Sequence, residues 1–459
     1  MGTNKIASAH ADPQKRKGRL RHLISRLLAY LALGSAATCA IAIAAAALTF
    51  RNSLHFPMGR VWNSFISLTA QLPVLPNQHP LLYNPALDEL PLECARTSDM
   101  FEHSRINSAC PRFVRIEYHD AAGLGHRLSN LAMALIAAKS LNATLAYDVL
   151  DYVSVHGDFR GAEAFLGFGV GEITYLAVLT KYPRLAVVPL PRLDGHRSWR
   201  AGGPFSPDDA VERVWVAAAQ AKSERCNVLY TVSRDDWIHN PKPFVKCIFA
   251  TKWARHEARV QAALDAPDAT QGALTLGVTP DVLDVLRKWR TLLWDPAADL
   301  VIAVHLRQGD MTPTPQEWHL AVLTATVLPA LAPAKFHLRV HIFYTGDEPQ
   351  RLVRGLIRFD PLLNVTLHGS HQVQALRAFW HLTRADILLE SRSAFSEYAA
   401  LVATRPLAFA ASGSRFAPGA YEQCGVGHIC CDAGANATCP LEAAARLRAV
   451  LARRGMLAA

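Results

Sequence analysis

The chain has no Gly-x-x-x-x-Gly-Lys-Ser/Thr segment, so the loop that cradles phosphates in P-loop kinases and typical sulfotransferases is missing. Its only adjacent aspartates are Asp208–Asp209 and Asp235–Asp236, and neither makes an Asp-x-Asp signature after a clear strand. That weakens metal-dependent chemistry built on paired carboxylates. No Cys-x-x-Cys pair occurs, which argues against a zinc site in the cysteine-rich C-terminal region. No repeat of fixed period is evident, and only one long uncharged apolar run is present, at residues 27–50. Acidic residues are scarce at the start: Asp12 is the single acid among the first 26 residues, against seven lysines and arginines. With those removed, the formal charge of +10 shrinks to a mild excess, so nucleic-acid binding gains little support and no nucleic-acid partner is expected.

What is present points to a membrane-anchored, lumenal protein. The run at 27–50 holds no charged residue over 24 positions, enough to cross a bilayer as a helix. It lies too far from the N-terminus, and is too long, for a cleaved signal peptide. The basic residues before it belong on the cytosolic side by the positive-inside rule, which places the rest in a lumen. The expected organisation is a cytosolic basic tail (1–26), a transmembrane signal-anchor helix (27–50) and a proline- and asparagine-rich stem (51–99). Two Rossmann-like units follow, at 100–297 and 298–459, the second ending in a cysteine-rich tail. The expected location is the Golgi membrane, as a single-pass type II protein.

Eight cysteines lie beyond the apolar run, an even count that fits disulfides in an oxidising compartment. Connectivity is not legible from spacing; Cys94 with Cys110 and Cys226 with Cys247 are two pairs that would close short loops. Sequons occur at Asn142, Asn364 and Asn436. The first two fall at expected tight joints into strands, where a glycan fits poorly, which leaves Asn436 as the best acceptor.

Strand and helix patterns alternate over the second half, as in a doubly wound α/β domain. Strands are expected at 113–118, 144–147, 185–188, 227–232, 301–305, 339–344, 365–368, 386–390 and 406–410. Helices are expected after Arg127 and at 252–264, 280–292, 316–331, from 350, at 373–383 and at 397–403. Residues 300–304 are aliphatic without alternation, as in a strand buried on both faces of a parallel sheet. Ligands of such sheets collect at the carboxyl ends of the strands. There the sequence places His305, Arg307 and Asp310, then Gly346, Asp347 and Glu348, then Ser391, Ser393 and Ser396. A serine-rich turn opening a helix offers backbone N–H groups and a positive dipole end to an anion, although a serine there also serves simply as a cap. Arg307 brings a planar fork of donors suited to phosphate.

These segments resemble those of a known group. His305-Leu-Arg307-Gln-Gly-Asp310 is similar to the HxRxGD-type motif of the α1,2-, α1,6- and protein O-fucosyltransferase superfamily. The segments Phe343-Tyr-Thr-Gly-Asp347-Glu-Pro and Ser391-Arg-Ser393-Ala-Phe395-Ser396 resemble its second and third motifs. Upstream, Gly123-Leu-Gly125-His126-Arg127-Leu-Ser-Asn130 resembles its glycine-rich acceptor-side loop. The resemblance implies two Rossmann-like domains facing a cleft, the GT-B arrangement, and an inverting, metal-independent transfer of fucose from GDP-fucose to a glycan or glycoprotein. It further implies that Arg307 holds the β-phosphate, that His305 and Asp310 position the donor and the arginine loop, and that Asp347 contacts guanine or ribose. Ser393, Phe395 and Ser396 would wrap the phosphates, with Gly123, Gly125, His126 and Arg127 on the opposite wall. Glu317 and His126 are the candidates for a general base. Gln308 stands where several relatives carry a second arginine, and His126-Arg127 where asparagine-glutamine is common in the α1,2 group. Linkage and donor sugar therefore stay open, as do two other readings: the same scaffold with another nucleotide sugar, and an inactive lumenal carbohydrate-binding protein.

Overall fold

The computed structural model describes residues 109–118, 123–151, 153–154, 157–159, 161–192, 207–220, 226–234, 243–307, 314–332, 337–370, 374–391, 393–403, 406–412, 428–432 and 437–453. All of these belong to a single compact unit spanning His79–Ala459. The basic tail, the apolar run, the stem, Asp310 and Asn436 lie outside the described residues. Among the described residues no helix is long and apolar enough to cross a membrane.

The chain is α/β, built on two wholly parallel sheets. The first takes β1 (Arg112–Ile116), β2 (Thr144–Leu145), β5 (Ala186–Pro189) and β6 (Val228–Val232) in the order β2-β1-β6-β5. A small antiparallel pair, β3 (Val153–Ser154) and β4 (Gly157–Asp158), sits beside it in sequence. The Leu124–Ser140 helix crosses from β1 to β2 and is buried along nearly its whole surface. Alanines at 132, 134, 137 and 138 let neighbouring elements approach it on several sides.

The second sheet holds β7 (Asp299–Arg307), β8 (His337–Thr345), β9 (Asn364–Gly369), β10 (Ile387–Leu389), β11 (Leu407–Ser412) and β12 (Ile429–Asp432). Its order, β9-β8-β7-β10-β11-β12, is the doubly wound 3-2-1-4-5-6 pattern, with the switch point between β7 and β10. As its unbroken apolar run requires, β7 is buried from Asp299 through Leu306. Its start is pinned: the Asp299 carboxylate pairs with Arg339 at 2.8 Å and accepts the Asp295 N–H at 2.9 Å. The Asp386 carboxylate accepts the Val301 N–H at 2.9 Å, locking β10 to β7 one step before their ladder begins.

One hydrophobic core runs through both sheets, from Val114 and Tyr230 in the first to Val301, Ala303 and Leu388 in the second. The Pro243–Leu264, Pro280–Arg290, Ala375–Arg384 and Ala394–Val402 helices contribute to it. Phe165, Trp253, Phe379 and Trp380 meet there, largely edge to face. The opposite face of the second sheet has its own core around Val304, Trp318, Ile342 and Phe409.

The disulfides differ from the short loops considered above. Cys110 bonds Cys226 and Cys431 bonds Cys439, while Cys247 and Cys430 are also disulfide-bonded. The reason is register. Arg112 faces Val228 across the parallel β1–β6 ladder, so Cys110 and Cys226, each two residues earlier, come side by side. The cysteine-rich tail is likewise no appendage: it supplies β12, paired in parallel with β11. The helix expected at 316–331 is broken into an α-helix (Gln316–Val322), a π-helical turn (Leu323–Val327) and a final α-turn (Leu328–Leu331) that carries Pro329 in its first residues. Asn142 and Asn364 do sit at tight joints, a two-residue turn before β2 and the first position of β9, but both are exposed, so neither joint closes over its side chain.

Candidate functional site

The carboxyl ends of β7 and β10 meet at the switch point, and they carry the residues singled out by sequence. Ser391, just past β10, places its hydroxyl 2.8 Å from Nδ1 of His305 on β7. Two residues further along each strand end, Arg307 donates from a terminal guanidinium nitrogen to the Ser393 hydroxyl at 3.4 Å, a long bond. Burial, with Arg307 and His319 close by, lowers the His305 pKa to about 3, so the imidazole is neutral at ordinary pH. It is therefore a hydrogen-bonding group here, and Arg307 is the cation.

Ser393 is the N-cap of the Ala394–Val402 helix, its hydroxyl accepting the Phe395 N–H at 3.3 Å. The capping role expected for a serine here is therefore present, and it coexists with the bond to Arg307. The same oxygen that satisfies the helix end also steers Arg307 toward the positive end of the helix dipole. Ser396 has a different part. It is fully buried, and its hydroxyl donates to the carbonyls of Ser391 and Ser393 at 3.4 and 3.2 Å, so it braces the turn and faces no ligand. Phe395 packs its ring 5.4 Å from both His305 and Phe379, walling the strand end.

The glycine-rich segment arrives from the other sheet. Gly123 is the N-cap of the Leu124–Ser140 helix and makes no side-chain cap bond; Gly125 lies within that helix's first turn, not in a loop. A Cβ built on Gly125 would sit 2.3 Å from the Phe395 nitrogen and 2.5 Å from the Ala394 carbonyl carbon. Glycine is thus required by the approach of two helix N-termini, one from each sheet. Gly125→Ala is expected to cost about 1–3 kcal/mol through overpacking against backbone that cannot rotate away. A urea midpoint unchanged from the parent would show that the two helices separate easily.

Other expected members are placed as follows. Thr345 pairs with Arg307 in the β7–β8 ladder, so the exposed turn through Gly346 (φ +87°) and Asp347 begins beside Arg307. His126 is partly buried on the helix turn that carries Gly125. Arg127 is buried, its guanidinium 5.0 Å from the centre of the Tyr118 ring, and so serves the interior of the first sheet. Glu317 is not brought to the group. It pairs with Arg351 at 2.9 Å on the outer surface, and hydrogen bonds from its own backbone and from Arg351 hold its carboxyl below the usual range, which weakens it as a base. Among the described residues no group of three or more His, Cys, Asp or Glu is gathered to hold a metal.

Sequence reasoning missed His319. It is fully buried two positions from the half-buried Glu317, with one ring nitrogen 3.2 Å from the Glu390 carbonyl and the other 3.1 Å from the Pro315 carbonyl. It therefore ties the helix after β7 to the end of β10, directly behind His305 and Ser391. Burial lowers its pKa to about 4. The signal was available in the helical spacing, which puts His319 beside Trp318 and Val322 on the inner face. Below it lies a second buried pair, Glu390 and His428, 3.4 Å apart. Burial raises the Glu390 carboxyl well above its usual range and lowers His428 to about 4, so this is a contact between neutral groups and not an ion pair.

No known protein family matches the chain, and no curated protein matches it. Among solved structures it is similar to POFUT1 in complex with GDP-fucose, at 15% identity over 65% of this chain and 97% of that chain, with a TM-score of 0.36. It is also similar to a mutant of Arabidopsis thaliana FUT1 in complex with GDP, at 13% identity over 71% and 80% of the two chains, TM-score 0.35. A third likeness is to E. coli heptosyltransferase WaaC with ADP, at 14% identity over 75% and 99%, TM-score 0.32. Each is a distant likeness.

Proposed function

We propose that this chain is an inverting glycosyltransferase of GT-B arrangement that moves fucose from GDP-fucose to a hydroxyl of a glycan or glycoprotein, without a metal, from an anchored position in the Golgi. The observation that carries this reading is the meeting of Arg307 with the serine-capped N-terminus of the Ala394–Val402 helix at the switch point of a 3-2-1-4-5-6 sheet. A departing nucleoside diphosphate gains negative charge as the sugar bond breaks. A fixed guanidinium and a helix N-terminus, already oriented before the reaction, stabilise that charge without reorganising. His305, held neutral and bonded to Ser391, orients the donor and carries no charge to the site. Asp347, on the turn beside Arg307, has the reach for the nucleoside. His126, on the helix that meets the donor side through Gly125, is the candidate to take the acceptor's proton, now that Glu317 is occupied by Arg351.

A titration of the lumenal portion with GDP and with UDP, each in excess EDTA, tests the donor class. GDP is expected to bind at least tenfold more tightly than UDP, with affinity unaffected by the chelator. UDP preference would move the chain to another nucleotide sugar, and no binding of either would favour the inactive carbohydrate-binding reading.

A further inference from the structure

We propose that Asn364 carries an N-linked glycan that shields the outer edge of the six-stranded sheet and the exposed apolar side chains just upstream of it. The sequon Asn364-Val365-Thr366 opens β9, which among the described residues is an outer strand, paired only with β8. Asn364 is exposed, and Val365 and Thr366 are half-buried. Immediately upstream, the Gln350–Phe359 helix turns Leu352 and Leu356 into the core. It leaves Ile357 at 48% and Phe359 at 49% exposure, and Leu362 on the following turn at 93%. That turn is fixed, the Asp360 carboxylate accepting the Leu362 N–H at 2.9 Å and the Asp360 carbonyl accepting the Leu363 N–H at 3.2 Å.

A single exposed apolar side chain is ordinary on a protein surface. Three large ones lie between residues 357 and 362, just before a strand edge with N–H and C=O groups to offer, and it is the open edge that most invites chain-to-chain association. Proteins protect such edges with charge, proline, bulges or cover; β9 has no charged residue or proline. A branched, hydrated oligosaccharide rooted at its first residue supplies the cover. The disulfides fit an oxidising compartment, the setting in which asparagine-linked transfer takes place. In that transfer the side-chain amide nitrogen of Asn364 forms a bond to C1 of a polyisoprenoid-diphosphate-linked oligosaccharide. The C1–O bond to the diphosphate breaks, the lipid diphosphate leaves with the electron pair, and the amide nitrogen gives up one proton. This inference rests on the disulfides and the sheet edge and is independent of the transferase reading.

The test uses the full chain expressed in eukaryotic cells, digested with peptide N-glycosidase in heavy-oxygen water and mapped by peptide mass. Asn364 is expected as a labelled aspartate. Asn364→Gln and Thr366→Ala should each remove one glycan and raise the aggregated fraction several-fold over the parent, while Thr366→Ser, which keeps the sequon, should change neither. An unmodified Asn364 peptide overturns the proposal. So does a glycan at Asn364 whose loss in both variants leaves the aggregated fraction unchanged.

Discussion

Arg307→Lys is expected to lower sugar transfer by about 10²-fold or more. Lysine retains the charge, so nucleotide still binds. What it loses is the planar fork that bonds the Ser393 hydroxyl through one nitrogen and keeps further N–H donors for the phosphate of the proposed donor. The loss therefore belongs mainly in kcat, equivalent to about 2.7 kcal/mol of transition-state stabilisation. Stability should barely change, because Arg307 is the one residue of β7 that is not buried. Near-parental turnover in this variant, with a parental melting curve, would remove Arg307 from the mechanism.

The second large effect is a loss of stability in mild acid. Burial holds seven histidines below their ordinary value: His256, His305 and His341 at about 3, and His319, His368, His381 and His428 at about 4. In the unfolded chain each returns to about 6.5, so the unfolded state binds more protons throughout the window between the two values. Stability thus rises with pH there. The contribution of each buried histidine is complete above the unfolded value and is lost as pH falls toward the folded one. Each contributes up to about 1.4 kcal/mol per pH unit, so several together remove a large part of a typical stability of about 5–15 kcal/mol. The strongest conflict is at His341 and His368, stacked with Nδ1 and Nε2 2.9 Å apart, where a shared proton excludes full protonation of both. Urea midpoints followed from neutral pH downward should fall steeply once below about pH 6.5. A flat profile to about pH 4 would mean that the unfolded chain keeps these residues buried.

The sequence made β7 and its polar end easy to find, since a strand covered on both faces reads as an unbroken aliphatic run with an abrupt stop. It also identified the three strand ends that carry Arg307, Asp347 and Ser393. It did not disclose that β10 lies next to β7, because strand order is set by packing between segments more than 80 residues apart. Without that order, Cys110 and Cys226 have no reason to pair, although each stands two residues before its strand. The four residues of β12 are too few to show a period, and their two adjacent cysteines read as a disulfide cluster before they read as a strand. Glu317 drew attention by nearness in sequence, while the neighbouring His319, turned inward, was hidden by its polar type.

Gly125 has a consequence for how this molecule can change over time. Its helix and the Ala394–Val402 helix touch backbone to backbone, so each half carries the imprint of the other. The two sheets are therefore a matched pair and not exchangeable modules. A chimera that joins either half to a partner with any side chain at this position would lose its fit where the two helix N-termini meet.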